Sequence, residues 1–122
     1  MLLALLVGLA AALGALARYV LDQAVAQRSN SAFPWGTWVI NVSGSFILGL
    51  ITGLALHHGL DAHVVTVLGT GVCGGYTTFS TFNFETIRLT EDGSLFGAAG
   101  NNAGSIAAGL LAAAAGLGLA LL

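Results

Sequence analysis

Apolar residues fill four long runs, at residues 2–25, 35–56, 64–87 and 95–122, and short polar stretches divide them. About 20 helical residues cross about 30 Å of hydrocarbon, and each run meets that length. The pattern predicts an all-α integral membrane protein, a single domain of four transmembrane helices over residues 1–122. Connections are short, at residues 27–34, 57–63 and 90–94. Pro34 suits the first turn of the second helix, where its missing N–H is no loss. Tyr19, Trp35 and Trp38 suit the headgroup belt.

Composition agrees with this reading. Hydrophobic residues make up 57% of the chain and charged residues 7%, against about 25% charged in soluble domains. A formal charge of −2 leaves no basic footprint for nucleic acid. The first run resembles a secretion signal, and Ala15-Leu16-Ala17 offers a small-residue cleavage site. It lacks a positive leading region, is longer than a typical signal core and precedes three more runs, so it is expected to stay as a helix. Loops one and three neighbour Arg18, Arg28 and Arg88, which puts that side in the cytoplasm. Only Arg28 is clearly a loop charge, so the bias is weak enough for insertion both ways. With 18 glycines along the helices, close helix approach and a homo-oligomer, most simply a dimer, are expected.

Polar residues within the runs carry the functional information. Asn41, Ser45, Gly49 and Gly53 recur every four residues and share one face of the second helix. Asn41 brings an amide into hydrocarbon, which reads either as interhelical glue or as a pore lining. Gly97, Asn101, Ser105, Gly109 and Ala113 form a similar row in the fourth helix. Gly and Ala alone would serve packing, so Asn101 and Ser105 hint at a wet track.

The third run contains Gly-Gly-Tyr-Thr-Thr-Phe-Ser-Thr-Phe at residues 74–82. Gly74-Gly75 reads as a close-packing pair in an unbroken helix or as the place where the helix opens. Opened carbonyls are tolerated in a membrane only beside protein or a polar cavity, and there they hold cations. Phe79 and Phe82 are ordinary apolar contacts or, through the positive edges of their rings, a weak field for a small anion. Thr78 and Ser80 hydroxyls and the Asn41 amide are donors that replace an anion's lost water.

Arg18 with Asp22, and Glu85 with Arg88, have helical spacing for ion pairs. Read functionally, Arg18 and Glu85 stand at the wet entrance of a conduit. No carboxylate lies at mid-membrane, against a proton-coupled carrier. His57, His58 and His63 lack the spacing of a helical metal site and read as surface loop. The lone Cys73 excludes an internal disulfide and reads as a small filler. No nucleophile triad, phosphate loop or zinc-protease motif is present.

Residues 71–85, "GVCGGYTTFSTFNFE", look like the signature of the Fluc, or CrcB-type, fluoride channels. "GALARY" at 14–19 and "GTWVINVSGSF" at 36–46 resemble the family's first- and second-helix motifs, in the right order and spacing. The resemblance covers essentially the whole chain. It implies a break in the third helix, an antiparallel dual-topology homodimer in the bacterial plasma membrane, and passive fluoride export. It further implies a structural Na+ at the dimer centre on the backbone carbonyls of Gly74 and Thr77. Asn41, Thr78, Phe79, Ser80, Phe82, Asn101 and Ser105 would line the fluoride path, and Arg18 and Glu85 the vestibule. Ala10-Ala11 replaces a frequent glycine pair, and Asn101 a common tyrosine. The rival readings are a small dual-topology, proton-coupled multidrug transporter and a non-transporting membrane assembly subunit. The transporter wants a glutamate in the first helix, and residues 2–17 hold no acid. The assembly subunit leaves the Asn-Ser-Phe-Phe set unexplained.

Overall fold

A computed structural model describes all residues, Met1–Leu122. The chain is all-helical, with no strand. Three helices are long and apolar enough to cross a membrane: α1 (Leu2–Ala26), α2 (Trp35–His58) and α6 (Leu95–Leu119). Between α2 and α6 the chain builds α3 (Ala62–Val65), a π-helical stretch (Thr66–Cys73), α4 (Gly74–Tyr76) and α5 (Ser80–Glu91). Thr77 is extended, at φ −80° and ψ 162°, and residues 77–79 belong to neither α4 nor α5.

Turn chemistry sets the ends. Asp61 caps α3, its Oδ1 accepting the N–H groups of His63 at 2.9 Å and Val64 at 3.3 Å. Those two bonds hold its carboxyl below the usual carboxylate range. α5 closes through Gly93, whose φ of 81° is left-handed backbone that a side chain resists. Gly93 N–H reaches Thr90 O at 3.0 Å and Ser94 N–H reaches Leu89 O at 2.8 Å, so the last carbonyls of α5 are satisfied and α6 starts at once. Near the first loop, Phe33, Trp35 and Trp38 contact one another in series, the first pair tilted and the second edge-to-face, with ring centroids 4.6 and 5.8 Å apart.

Small residues let backbones touch. α2 and α6 form the largest contact: a side chain at Gly49 would strike the Ala113 carbonyl, and one at Gly116 the Phe46 carbonyl. α1 packs the same way on the third span. There Gly14 lies against the Val72 carbonyl and Gly75 against the Ala11 carbonyl. Outward, Leu5, Leu9 and Leu13 are each 65% exposed. Only 17 of 122 residues are buried, so this apolar exterior is stable only against hydrocarbon or other protein.

The glycine pair does not itself lie in the non-helical segment. Gly74 and Gly75 are helical within α4, and helix stops two residues later. Gly75 serves the approach of α1, whereas the backbone leaves the helix where a side chain competes for its donors.

Candidate functional site

That competitor is Asn41. Its Oδ1 accepts the Thr78 N–H at 2.9 Å and its Nδ2 donates to the Thr78 carbonyl at 2.8 Å. In a continuous helix the Thr78 N–H would bond to the Gly74 carbonyl, so the amide takes over the bond that helix geometry has given up. Arg18 works beside it. Its guanidinium donates to the Thr77 carbonyl at 3.2 Å. Tyr76 Oη lies 2.8 Å from Ser43 Oγ, which fixes the last turn of α4 to α2. The Thr77 hydroxyl turns back to the Cys73 carbonyl at 2.9 Å.

Around this segment lies an open cavity of about 310 Å³. Asn41, Ser45, Gly74, Thr77, Thr78 and Phe79 line it with four others, none of them charged. Phe79 and Phe82 stack with centroids 6.0 Å apart and planes at 30°. Phe82 is 7% exposed and Phe79 76% exposed on the single chain. Thr78 Oγ1 donates to Thr81 Oγ1 at 3.1 Å and lies 3.4 Å from Ser80 Oγ. Ser80 and Thr81 are both exposed.

The fourth-helix residues gather apart from this cavity. Asn101 is 1% exposed; its Nδ2 donates to Thr86 Oγ1 at 2.8 Å, and Ser105 Oγ reaches its Oδ1 at 3.4 Å. Lower in the row, Gly109 faces Ser45 and Ala113 faces Gly49. There the two polar rows serve as one packing seam.

Glu85 stands at the end nearest the first loop. Its Oε1 accepts from Thr37 Oγ1 at 2.9 Å, and its Oε2 is buried without a partner. It borders two cavities of about 280 and 260 Å³, the first shared with Arg88 and the second with Asp22. Helical spacing suggested ion pairs Arg18–Asp22 and Glu85–Arg88, and neither forms. The one close contact between a basic and an acidic side chain is His63 Nδ1–Asp61 Oδ1 at 3.5 Å, on exposed groups. Arg18 instead meets a carbonyl of the non-helical segment and Glu85 a hydroxyl on α2, because groups inside a bundle gain more from an unpaired polar partner than from a solvated ion pair.

Thr37, Ser43 and Thr86 were not foreseen from sequence. Thr37 stands four residues before Asn41 and extends the Asn41–Ser45 row, a spacing that marks it. Thr86, four residues after Phe82, lies beyond the hydroxyl-rich segment and carries no comparable signal.

Residues 5–117 match the family model described as CrcB-like protein, Camphor Resistance (CrcB). The chain is 52% identical over 113 residues to the fluoride-specific ion channel FluC 1 of Streptomyces avermitilis, covering 93% of this chain and 91% of the relative. The FluC 1 proteins of Frankia casuarinae and Thermobifida fusca are 48% and 44% identical. These matches cover 95% and 93% of this chain, and 94% and 92% of the relatives.

Proposed function

The chain belongs to the CrcB family, and from that membership we propose that it is a fluoride-selective channel that lets fluoride leave the cell passively. It is a multi-pass bacterial membrane protein and not an enzyme. The observation that carries the reading is an uncharged cavity lined by the non-helical residues Thr77, Thr78 and Phe79 together with Asn41. Fluoride is small and tightly hydrated, and a bare ion in low dielectric costs tens of kcal/mol. Conduction needs most of that returned by several moderate sites. Asn41 keeps one amide hydrogen beyond its bond to Thr78; Ser80 offers a hydroxyl, while the hydroxyl protons of Thr78 and Ser105 go to Thr81 and Asn101, and the two rings offer positive edges. Asn101 contributes from behind α5, in contact with Thr86. Arg18 and Glu85 bound the entrances. A negative-inside potential adds about 2.3 kcal/mol per charge per 100 mV in the outward direction.

A second copy is part of this reading. Gly74, Ser80 and Thr81 are exposed beside Phe79, and lipid does not favour the exposed backbone and hydroxyl groups among them. An antiparallel partner would cover them, and the weak arginine bias permits both insertions. The family resemblance adds a structural Na+, and the residues fit such an ion. The Gly74 carbonyl has lost its helical donor, the Thr78 N–H, to Asn41. Thr77 O, holding one bond from Arg18, retains a lone pair. Uncharged oxygens of this kind suit a hard monovalent cation, which supplies positive potential and joins two copies when bound.

Efflux from proteoliposomes, with fluoride and chloride side by side and no pH gradient, tests the channel. Rapid fluoride loss with little chloride loss is expected. Phe82→Ile, which keeps bulk and removes the ring edge, should slow fluoride by about tenfold, close to 1.4 kcal/mol. A strict need for a proton gradient would make the protein a carrier.

A further inference from the structure

We propose that Thr86 is a positioning residue for Phe82, held by Asn101, and that this latch sets both fluoride throughput and its margin over chloride. The inference rests on the channel reading above. Its direction is forced by the chemistry of the groups. A carbonyl can only accept, so the single Thr86 hydroxyl proton goes to Phe82 O at 2.8 Å. Thr86 Oγ1 must then accept, and Asn101 Nδ2 donates to it at 2.8 Å. The result is a one-way relay from α6, through α5, to the backbone of the ring-bearing residue. Ser105 extends it at 3.4 Å.

Burial makes the relay consequential. Asn101 is the most deeply buried polar side chain, at 1% exposure. An amide there costs free energy unless paired, and an aliphatic side chain would fill the same space without that cost. The amide therefore acts through its partner, and that partner lies one turn from Phe82. A hydroxyl bonded to the carbonyl four residues back also bends a helix locally. Phe82, 7% exposed and stacked on Phe79, moves with its backbone. A small displacement of the ring edge changes its field at the ion path. Plain interhelical glue would instead fasten α5 to α6 and leave ion discrimination alone.

Four full-length proteins in liposomes decide between these: wild type, Thr86→Val, Thr86→Ser and Asn101→Leu. Fluoride and chloride efflux are read together with elution on size-exclusion chromatography. Thr86→Val should lower fluoride flux about tenfold, the effect of about 1.4 kcal/mol, and narrow the fluoride-to-chloride ratio. Asn101→Leu should shift both in the same direction by a smaller factor. Thr86→Ser, which keeps the hydroxyl, should restore both. Wild-type flux and ratio in Thr86→Val overturn the latch, as does a Thr86→Ser protein no better than Thr86→Val. Should Thr86→Val not fold, Asn101→Leu decides, and an unchanged ratio overturns the proposal. A wild type inert to fluoride would instead remove the channel reading itself.

Discussion

The α2–α6 seam and the segment at residues 77–79 solve opposite problems. In the seam both helices are continuous, their interior backbone bonds follow the helix, and the interface needs closeness. Gly49 and Gly116 supply it by letting backbone meet backbone. At residues 77–79 the helix stops, and its polar groups need new partners in a medium that offers no water. Asn41 and Arg18 supply those partners from other helices. Small residues therefore join helices in this protein, while long polar side chains hold open the one place where a helix gives way. The second arrangement brings Asn41, Thr77, Thr78 and Phe79 to the lining of one cavity, and the proposed conduction rests on those groups.

The widest gap between the two regions should come from Asn41→Ala. It orphans both the N–H and the C=O of Thr78, each worth about 1–3 kcal/mol when left unpaired. Fluoride efflux should fall about a hundredfold, the equivalent of about 2.7 kcal/mol, while detergent-solubilised protein still elutes as a single species. Full flux would reduce Asn41 to helix glue. Gly49→Val should behave in the reverse manner, driving a side chain into the Ala113 carbonyl. Overpacking of this kind costs about 1–3 kcal/mol, so thermal stability in detergent should drop, with the surviving protein passing fluoride at near wild-type rate per channel. If flux per channel collapses as well, the seam is part of the conduction path. The smallest effect is expected from sodium. Exchanging it for a large organic cation should reduce flux and weaken the proposed dimer by a few-fold, which would support residues 74–77 as an ion-holding element. Identical assembly and flux without sodium would leave those carbonyls with a packing role only.

Particular residues show how far the sequence could be read. The apolar runs, the resemblance around residues 71–85 and the polar rows of α2 and α6 were all visible as local patterns. The row through Asn41 pointed to a polar face, and the structure turns its upper part to Thr78 and its lower part to α6. Asn101 was read as part of a wet track, and its amide lies buried on Thr86. The glycine pair left two options open, and the non-helical residues follow it. Local spacing was misleading for the charges: Arg18 passes over Asp22 for Thr77, and Glu85 passes over Arg88 for Thr37.

The linear order of residues alone determined that this chain lives in a bilayer, which three runs are long enough to cross it as single helices, and to which family it belongs. Those properties depend on run length, mean polarity and short motifs, each legible within one helix. Which polar atoms meet was decided only by tertiary structure. Asn41 and Thr78 are 37 residues apart, Arg18 and Thr77 are 59 apart, and Thr37 and Glu85 are 48 apart. A polar group in hydrocarbon takes whatever unpaired donor or acceptor packing brings within reach, and no periodicity along one helix encodes what another helix leaves unsatisfied.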